Sequence, residues 1–418
     1  MAASFLSSDA ASGALPFDVS RVDLDAFARE IDALRAEEEA RLGLADFHHF
    51  RRRAYAGRAL TALGYATGVL APNPVSAALL ALGSTARFTI VAHHVMHRAM
   101  DRIPGVPAHY TSRHFAKGTR RWVDWLDWIH PRAWDIEHNV LHHYATGEVE
   151  DPDLVEENVA GLADASRTVR LAVAALYAFT WKITYYAPST FQIVARGEAR
   201  RRRGEPTNHR ADARGEGSYL DAFDLRSPEG RQFWRECVLP YLGGRFVVPT
   251  ALAAVLGPWA AFSTLTNSMG AELLANLHTF LIIASNHAGE DLHRFDDKHK
   301  GRAELYLRQV LGSVNFTHGG AVRNFLSGYL GHQIEHHLYP DLPPSSLERL
   351  APKVQALCAK YGIPYVQEPV LVRARKLLRI MIGSAKMQRT DTKRPRPSRS
   401  STARRAVPSG ELAAEQPA

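Results

Sequence analysis

Cysteine is nearly absent from this sequence: Cys237 and Cys358 are the only two in 418 residues. So few cysteines exclude a disulfide framework, and they exclude a four-cysteine iron–sulfur cluster supplied by the chain itself. The HExxH motif, which places a glutamate base beside a hydrolytic zinc ion, is missing, as is a glycine-rich dinucleotide loop. The first residues lack the basic-then-apolar pattern of a secretory signal, so none is expected.

Positive charge exceeds negative charge, and it is clustered. The net charge is +8, with basic runs at 51–53, 200–203 and 393–405. No nucleic-acid-binding motif accompanies these runs, so no nucleic-acid partner is expected. Basic clusters beside apolar segments instead indicate the cytoplasmic side of a membrane protein. The mean hydropathy of −0.22 is low for a chain with several spans, so large soluble segments must accompany them.

The apolar segments predict two helical hairpins that cross a membrane. Residues 54–71 and 75–92 each reach the roughly 17–25 residues that a spanning helix needs, and an uncharged Pro-Asn-Pro turn joins them. Basic residues flank the open end of this pair, so the hairpin is predicted to enter from the cytoplasm and return. A second hairpin is predicted at about 237–258 and about 271–286, with the same orientation.

An N-terminal section precedes the hairpins. Residues 1–53 are predicted to form a loose arm followed by an amphipathic helix from about 21 to 42, capped by Ser20 and Asp23. Its apolar stripe predicts a surface or docking helix.

The membrane domain is predicted to extend over 54–383. Within it, residues 168–193 are expected to lie in the cytoplasmic leaflet, because their apolar core is too short to span. The tryptophans between 122 and 134 are expected to anchor the chain at the membrane interface. The Ser/Arg/Pro-rich residues 384–418 are predicted to be a disordered tail.

Histidines form three clusters with a shared shape. The clusters are AHHVMH at 92–97, EHNVLHH at 137–143 and GHQIEHHLYPDLP at 331–343, and Asn286-His287 ends the second hairpin. Neutral imidazole is a common metal ligand at pH 7. Residues four apart share a helix face, so the pairs 93/97, 138/142 and 332/336 can each point at one centre. Because zinc usually takes four ligands, so many histidines suit two metal ions.

Several chemistries are compatible with such a site. Two irons can activate O₂ against a C–H bond of a lipid. A hydrolytic zinc centre is disfavoured by the missing HExxH motif. A transporter would place its histidines within the spans, whereas these lie at span ends and beyond. A non-enzymatic membrane metal-binding protein is a further alternative.

The clusters together resemble the three histidine boxes of the integral-membrane fatty-acid desaturases. The matching stretches are HHVMH at 93–97, HNVLHH at 138–143 with EDPDL at 150–154, and HQIEHHLYPDLP at 332–343. The resemblance covers roughly residues 50–370, and it looks closest to bacterial acyl desaturases whose third box reads HQIEHHLFPDLP. Two positions depart from the commonest pattern: Gln333 replaces a histidine, and His94 replaces an acidic residue or asparagine.

The resemblance implies an all-α integral membrane protein with four transmembrane helices and a cytosolic helical cap that carries a di-metal site. It places the protein in a bacterial-type inner (cytoplasmic) membrane, with the site on the cytoplasmic side. It implies a cis double bond introduced into a long-chain acyl-CoA or acyl-lipid, with O₂ as oxidant and no catalytic residue beyond the metal ligands. The expected ligands of two Fe²⁺ ions are His93, His97, His138, His142, His143, His287, His336 and His337, with His332 as an alternative to Gln333 in the third box.

Electrons must then come from a separate ferredoxin or flavin reductase, because the chain has no HPGG-type haem-binding motif and too few cysteines. A hydroxylase, ketolase or alkane mono-oxygenase of the same superfamily is the main alternative. Carboxylates beside the boxes are candidates to orient the imidazoles; these are Glu137, Asp151, Asp153 and Glu335.

Overall fold

The computed structural model describes residues 17–215, 217–317 and 319–390, and these are mostly helical. The predicted N-terminal arm before residue 17 and the predicted tail from residue 391 lie outside the described residues. The longer helices are α1 (Leu24–Glu39), α2 (Leu44–Gly68), α3 (Pro74–Met96), α4 (131–145), α5 (167–202), α6 (Pro228–Ala254), α7 (Pro258–Ile283), α8 (Arg302–Leu311), α9 (Gln333–Leu338), α10 (Pro344–Lys360) and α11 (Val370–Met381).

Short elements connect these helices. Two parallel strand pairs are present, β1 (His293–Arg294) with β4 (Gln388–Arg389) and β2 (Asn315–Phe316) with β3 (Gln367–Glu368). The short helical turns are Val19–Arg21, Ala108–Tyr110, Gly118–Arg120, Arg121–Asp124, Val155–Asn158, Ala160–Leu162, His209–Ala213, Tyr219–Phe223, Ala284–Asn286, Gly320–Leu326 and Leu330–His332.

Helix α1 packs against the helices that surround the third histidine box. The side chain of Asp23 caps it, as predicted, whereas Ser20 bonds to Asp18 in the preceding turn. The apolar face of α1 packs against α8 and α10. The hydroxyl of Tyr339 donates a hydrogen bond to the carbonyl of Ile31 at 2.9 Å. The N-terminal helix therefore supports the segment that follows the third histidine box.

Helices α2 and α3 form the first predicted hairpin. Asn73 caps α3 by accepting a hydrogen bond from the backbone N–H of Ser76 at 2.7 Å, and Pro74 occupies the first turn, where no amide donor is needed. The two backbones approach closely near Gly83, because a Cβ atom there would overlap the hydroxyl of Thr61. Small residues allow this kind of contact between membrane helices.

Helices α6 and α7 form the second hairpin, and α7 begins earlier than predicted. The fourth span was expected from about 271, but the helix starts at Pro258. Asn267, in its first half, donates hydrogen bonds to the carbonyls of Gly68 at 2.9 Å and Ala71 at 3.0 Å. This polar side chain is therefore satisfied against the α2–α3 turn, which allows the helix to continue through it.

The four-span arrangement is only partly supported. Among the described residues, α3 and α6 are long and apolar enough to cross a membrane by length and composition. Helices α2 and α7, which the sequence predicted as the first and fourth spans, do not meet this criterion. The helices nevertheless pack in sequence, since α3 contacts both α2 and α7, and α7 contacts α6.

The C-terminal boundary also differs from the prediction. Residues 384–390 fall within the predicted disordered tail, yet β4 pairs there with β1. The predicted interfacial segment, 168–193, lies within α5, which continues to residue 202.

Several long helices contain π-helical turns, in which backbone hydrogen bonds link residues five apart. Two of these turns adjoin histidine boxes. In α3 the N–H of His93 bonds to the carbonyl of Phe88, and in α4 the N–H of His143 bonds to the carbonyl of His138. Such turns are frequent at functional sites. The turns span Ala86–Ala92, Asp135–His142, Lys182–Tyr186, Trp234–Val238 and Gly243–Val247.

Candidate metal centre

The histidine boxes meet in one buried cluster. The first box ends α3, the second lies in α4, the third lies in α9, and His287 follows the short turn after α7. Each imidazole in the cluster is between 1% and 8% exposed. Four distant parts of the chain therefore deliver their side chains to the same interior region.

The first group of imidazoles contains four rings. Their candidate ligand atoms all lie within 4.8 Å of one another. The Nε2 atoms of His93 and His336 face each other at 2.9 Å. The members are His93, His97, His138 and His336.

The second group contains three rings and lies beside the first. Its members are His142, His287 and His337, again with candidate ligand atoms within 4.8 Å. His143 lies between the groups, because its ring centroid is 4.5 Å from that of His97 and 4.3 Å from that of His337. The arrangement consists of two adjacent clusters joined by one imidazole.

Within the described ranges, many ring nitrogens of the two groups have no hydrogen-bond partner, which is expected of atoms that bind a metal ion. A buried polar atom without a partner costs about 1–3 kcal/mol, so a group of them indicates a missing ligand. The buried nitrogens without a hydrogen-bond partner among the described residues include Nε2 of His97, both nitrogens of His138 and His143, Nδ1 of His336 and Nε2 of His337. Imidazole nitrogen suits zinc, copper and iron alike.

Partners on the second ring nitrogen orient three of the imidazoles. Nδ1 of His142 donates to the carboxylate of Asp151 at 2.8 Å. Nδ1 of His337 donates to Oε1 of Gln309 at 2.8 Å. Nδ1 of His287 likewise faces the carbonyl of Gly312 at 3.1 Å. Each contact leaves Nε2 as the lone-pair nitrogen, which is the usual role of such partners around a metal.

Most of these imidazoles are neutral. Burial, together with repulsion from neighbouring imidazoles, holds the pKa of each well below the usual 6.5, so their lone pairs are available at pH 7. This applies to His97, His138, His143, His336 and His337. Burial also lowers the pKa of His287, to about 3.

His142 behaves differently. Burial alone would lower its pKa, but the carboxylate of Asp151 raises it to about 9. The pKa shift of His142 is therefore opposite in direction to the shifts of the neighbouring imidazoles.

His332 and His94 stand apart from the two groups. His332 is buried, but it belongs to neither group in the part of the chain that the structure describes. It precedes α9 in a non-helical conformation, so it is not one turn behind His336 on a common helix face. Gln333 instead reaches the second group, with its amide 3.0 Å from Nε2 of His287. His94 bonds to the carbonyl of Ile90 at 3.1 Å.

Two of the carboxylates proposed to orient imidazoles bond elsewhere. Glu137 accepts a hydrogen bond from the hydroxyl of Tyr186. Glu335 accepts from Asn315 at 2.8 Å and from Tyr365 at 2.9 Å. Burial raises the pKa of Glu335 to about 7.

Asp153 remains close to the site, in a group with His138 and His142. Burial raises its pKa to about 6. Of the four predicted carboxylates, Asp151 makes the direct hydrogen bond to a clustered imidazole.

The interfacial role predicted for the tryptophans is wrong for Trp125 and Trp128, which are buried, and for Trp134. The side chain of Trp134 is 2% exposed, and its ring stacks on His138 with centroids 4.5 Å apart. Gln309 was missed from the sequence because it lies in α8, outside every histidine box. Its amide N–H also donates to the carbonyl of His143 at 2.6 Å, so it links the second and third boxes.

A mostly apolar cavity opens beside the imidazoles. The cavity and the solvent at its open mouth together measure about 1140 Å³. One wall carries His93, His138, His142 and His287. The other walls are largely aromatic and aliphatic, and they include Phe88, Trp181, Tyr185, Tyr186, Phe280, Ile283, Leu377 and Met381.

Comparisons with known proteins agree with this geometry. The profile of the fatty acid desaturase family matches residues 68–369. An NADPH-dependent stearoyl-CoA 9-desaturase of Mycobacterium tuberculosis is 28% identical over 369 residues, which cover 86% of this chain and 79% of that protein. A fatty acid desaturase 2-like protein of Mus musculus is 38% identical over 79 residues, which cover 19% of this chain and 16% of that protein.

The family match spans the helices that carry all three boxes and the turn that carries His287. Three histidine boxes, two adjacent imidazole groups and an apolar cavity accompany it. The chain belongs to the fatty acid desaturase family, and it is an oxidoreductase that desaturates acyl groups.

Proposed function

We propose that this protein uses O₂ to introduce a cis double bond into a long-chain acyl-CoA. The observation that supports the proposal most directly is the position of the cavity. Its apolar walls suit an acyl chain, and four clustered imidazoles form one side of it. A methylene of a bound chain would therefore lie beside the candidate metal ligands.

The metal set is proposed to be two iron ions. The first group would hold one ion and the second group the other, with His143 able to serve either. Nitrogen ligands alone also suit other metals, so the choice of iron depends on membership of the family. Bound iron would supply the activation of O₂ that no side chain of this protein supplies.

The residues of the chain perform the remaining tasks. The aromatic walls exclude water and restrict the path of the acyl chain. Asp151, Gln309 and the carbonyl of Gly312 keep three imidazoles in the tautomer that offers Nε2. In the balanced reaction one CH₂–CH₂ unit loses two hydrogens. O₂ takes up these hydrogens with two further electrons and two protons, and it leaves as two waters.

Stearoyl-CoA is the proposed type of substrate. The relative from Mycobacterium tuberculosis is named for stearoyl-CoA, and it aligns over most of this chain. An acyl-lipid would offer the same apolar chain to the cavity, so the two carriers are compared directly in the test below.

The membrane arrangement is proposed to have four spans, α2, α3, α6 and α7, within a membrane domain of 54–383. Large exposed apolar side chains on the second hairpin support this, because a concentration of such side chains marks contact with lipid or a partner. They include Leu239, Val247, Val248 and Leu252 on α6 and Trp259, Phe262, Met269 and Leu273 on α7. The basic residues at 51–53 support a cytoplasmic location for the site.

A separate electron donor is proposed, since the sequence contains no redox motif of its own. The name of the mycobacterial relative indicates that its electrons derive from NADPH. A ferredoxin or flavin reductase would carry them to the metal centre one at a time.

The test is fatty-acid analysis of a host that expresses the chain, beside a host that expresses His336→Ala. We expect new monounsaturated acyl chains with the native protein and none with the variant. Purified protein with iron, O₂ and a reductant should desaturate stearoyl-CoA, but it should form no product under argon. A preference for a stearoyl glycerolipid would reassign the carrier. Addition of an oxygen atom, instead of loss of two hydrogens, would show that the protein is a hydroxylase.

A further inference from the structure

The outer face of α4 is exposed directly over the imidazole cluster. The inner face carries His138, His142 and His143, whereas Val140 and Tyr144 point outward with 44% and 55% exposure. Val149, after the turn that ends α4, is 45% exposed. Two large apolar side chains are therefore exposed on the face of α4 opposite the imidazoles, and Val149 adds a third just beyond the helix.

Basic side chains border this surface. The segment His209–Ala213 packs against α4. Glu150, which follows Val149, contacts Arg210 at 3.0 Å, Arg214 at 2.6 Å and Lys298 at 2.8 Å. One carboxylate among three cations leaves the border positively charged. The side chains of Arg214 and Lys298 are 57% and 58% exposed.

Thr390, the last residue that the structure describes, lies near the same region. The N–H of Thr390 bonds to the carbonyl of Arg294, and the neighbouring Phe295 bridges to the loop that carries Glu148. The chain therefore leaves the described fold close to this surface. One lysine and five arginines occur in the sequence between residues 393 and 405.

We propose that the surface formed by Val140, Tyr144 and Val149, with Arg210, Arg214 and Lys298 at its border, docks a small acidic iron–sulfur protein that donates electrons to the metal centre. The inference rests on the proposed function, which requires such a donor. Interfaces commonly combine an apolar aromatic centre with a charged border that contains arginine. Complementary charge accelerates encounter and orients the partner.

The position of Tyr144 explains why this surface suits electron transfer. Tyr144 is the next residue after His143, whose ring contacts both imidazole groups. A donor docked on α4 would therefore approach both metal sites through one short helix. The transfer moves one electron at a time, oxidises the iron–sulfur protein and reduces the metal centre.

The experiment uses the full chain in detergent micelles and a plant-type [2Fe–2S] ferredoxin, which is acidic, as the probe. Binding kinetics are measured for the native protein, for Arg214→Glu/Lys298→Glu and for Tyr144→Ser. The double variant leaves the Arg210–Glu150 ion pair in place. Arg29→Glu is the matched control, because Arg29 is exposed on α1 and lies outside this surface. Bound metal is measured for each variant to show that the centre is intact.

We expect the double variant to slow association by at least about tenfold at low salt and to reduce the salt dependence. Tyr144→Ser should weaken affinity by about tenfold while it preserves the salt dependence, and Arg29→Glu should match the native protein. Equal association rates for the double variant and Arg29→Glu would overturn the proposal. Binding of anionic vesicles or self-association through these residues, without binding of ferredoxin, would also overturn it.

A separate arm keeps the two proposals distinct. The native protein with stearoyl-CoA is first reduced by dithionite without O₂, excess dithionite is removed, and O₂ is then added for a single turnover. If this experiment yields no desaturated product, the proposed function is rejected. The docking surface is tested only by the rates of association with ferredoxin.

Discussion

The carboxylate of Asp151 forms hydrogen bonds both to a candidate metal ligand, His142, and to the loop that follows helix α4. One oxygen accepts a hydrogen bond from Nδ1 of His142 at 2.8 Å, and the other accepts from the N–H of Gly147 at 2.9 Å. The EDPDL stretch after the second box thereby fixes the orientation of an imidazole of the second group. Loss of such a contact commonly lowers metal affinity by about 10–100-fold.

The first prediction follows from this contact. Asp151→Asn should weaken metal binding at the second group by about 10–100-fold, because the neutral amide no longer stabilises the Nδ1–H form of His142. Titration against a competing chelator measures the change. Asp164→Asn, at an exposed position, serves as the control and should bind metal like the native protein. Unchanged metal affinity in Asp151→Asn would show that this carboxylate does not orient His142 for metal binding.

The second prediction concerns Gln309. Its amide joins His337 to the backbone of His143, so Gln309→Leu removes the nearer of the two partners of Nδ1 of His337, the other being the hydroxyl of Thr146 at 3.1 Å. We expect about a tenfold or greater loss of metal affinity. Gln309→Glu retains an acceptor oxygen, and it should retain more metal than Gln309→Leu. The matched control is Gln192→Leu, because Gln192 bonds to Ser218 away from the site. Equal metal content in both Gln309 variants would contradict the assigned role.

The third prediction concerns a polar network between the arms of the second hairpin. Glu272 lies 3.8 Å from Arg245, and it also accepts hydrogen bonds from Trp128 at 2.8 Å and Asn276 at 2.9 Å. Glu272→Leu would leave the buried guanidinium of Arg245 without its carboxylate. Removal of one partner from a buried ion pair costs about 3–5 kcal/mol.

Thermal unfolding in detergent measures this effect. The double variant Arg245→Met/Glu272→Leu should recover much of the lost stability, because it removes both charges. Glu229→Leu, at an exposed position, is the control. If the single Glu272 variant unfolds at the native temperature, the pair does not stabilise the hairpin.

The fourth prediction concerns substrate length. Trp181 lines the cavity, and its indole N–H is held by the carbonyl of Asn276 and the hydroxyl of Thr279, both at 3.1 Å. Trp181→Phe should enlarge the cavity and raise kcat/KM for acyl chains longer than stearoyl relative to stearoyl-CoA. Trp181→Ala should extend the shift, at a cost of about 3–5 kcal/mol in stability. Trp122→Phe is the control, since Trp122 is 46% exposed. An unchanged length preference would place the end of the acyl path elsewhere.

Much of the site could be predicted because the histidine boxes are local patterns with a strong chemical meaning. The structure places His93 and His97, paired by their spacing, in one group with His336, whereas the spacing partner of His336, His332, is not a member of that group. The pair His138 and His142 does lie in one group with Asp153, but each also belongs to a different all-histidine group. The spacing did not predict that His138 and His142 belong to different groups, because the prediction used α-helical geometry for a segment that is π-helical.

The remaining parts depend on contacts distant in sequence. Gln309 and Gly312 orient imidazoles from α8 and the residue that follows it, where no motif marks them. His332 was kept as a possible ligand beside Gln333 because it lies four residues from His336, and α9 begins at Gln333. In the fold, the continuation of α7 through Asn267 depends on acceptors at the α2–α3 turn. Hydropathy along one segment does not contain that information.

The π-helical turn in α4 has a consequence for engineering. It is equivalent to one residue inserted into a regular helix, and it rotates everything after it by roughly 100° relative to an uninterrupted helix. If the same residues formed a regular α-helix instead, His142 and His143 would rotate together by this angle relative to the residues before the turn. A graft of this motif onto an ideal helical scaffold must therefore copy the irregular backbone as well as the side chains.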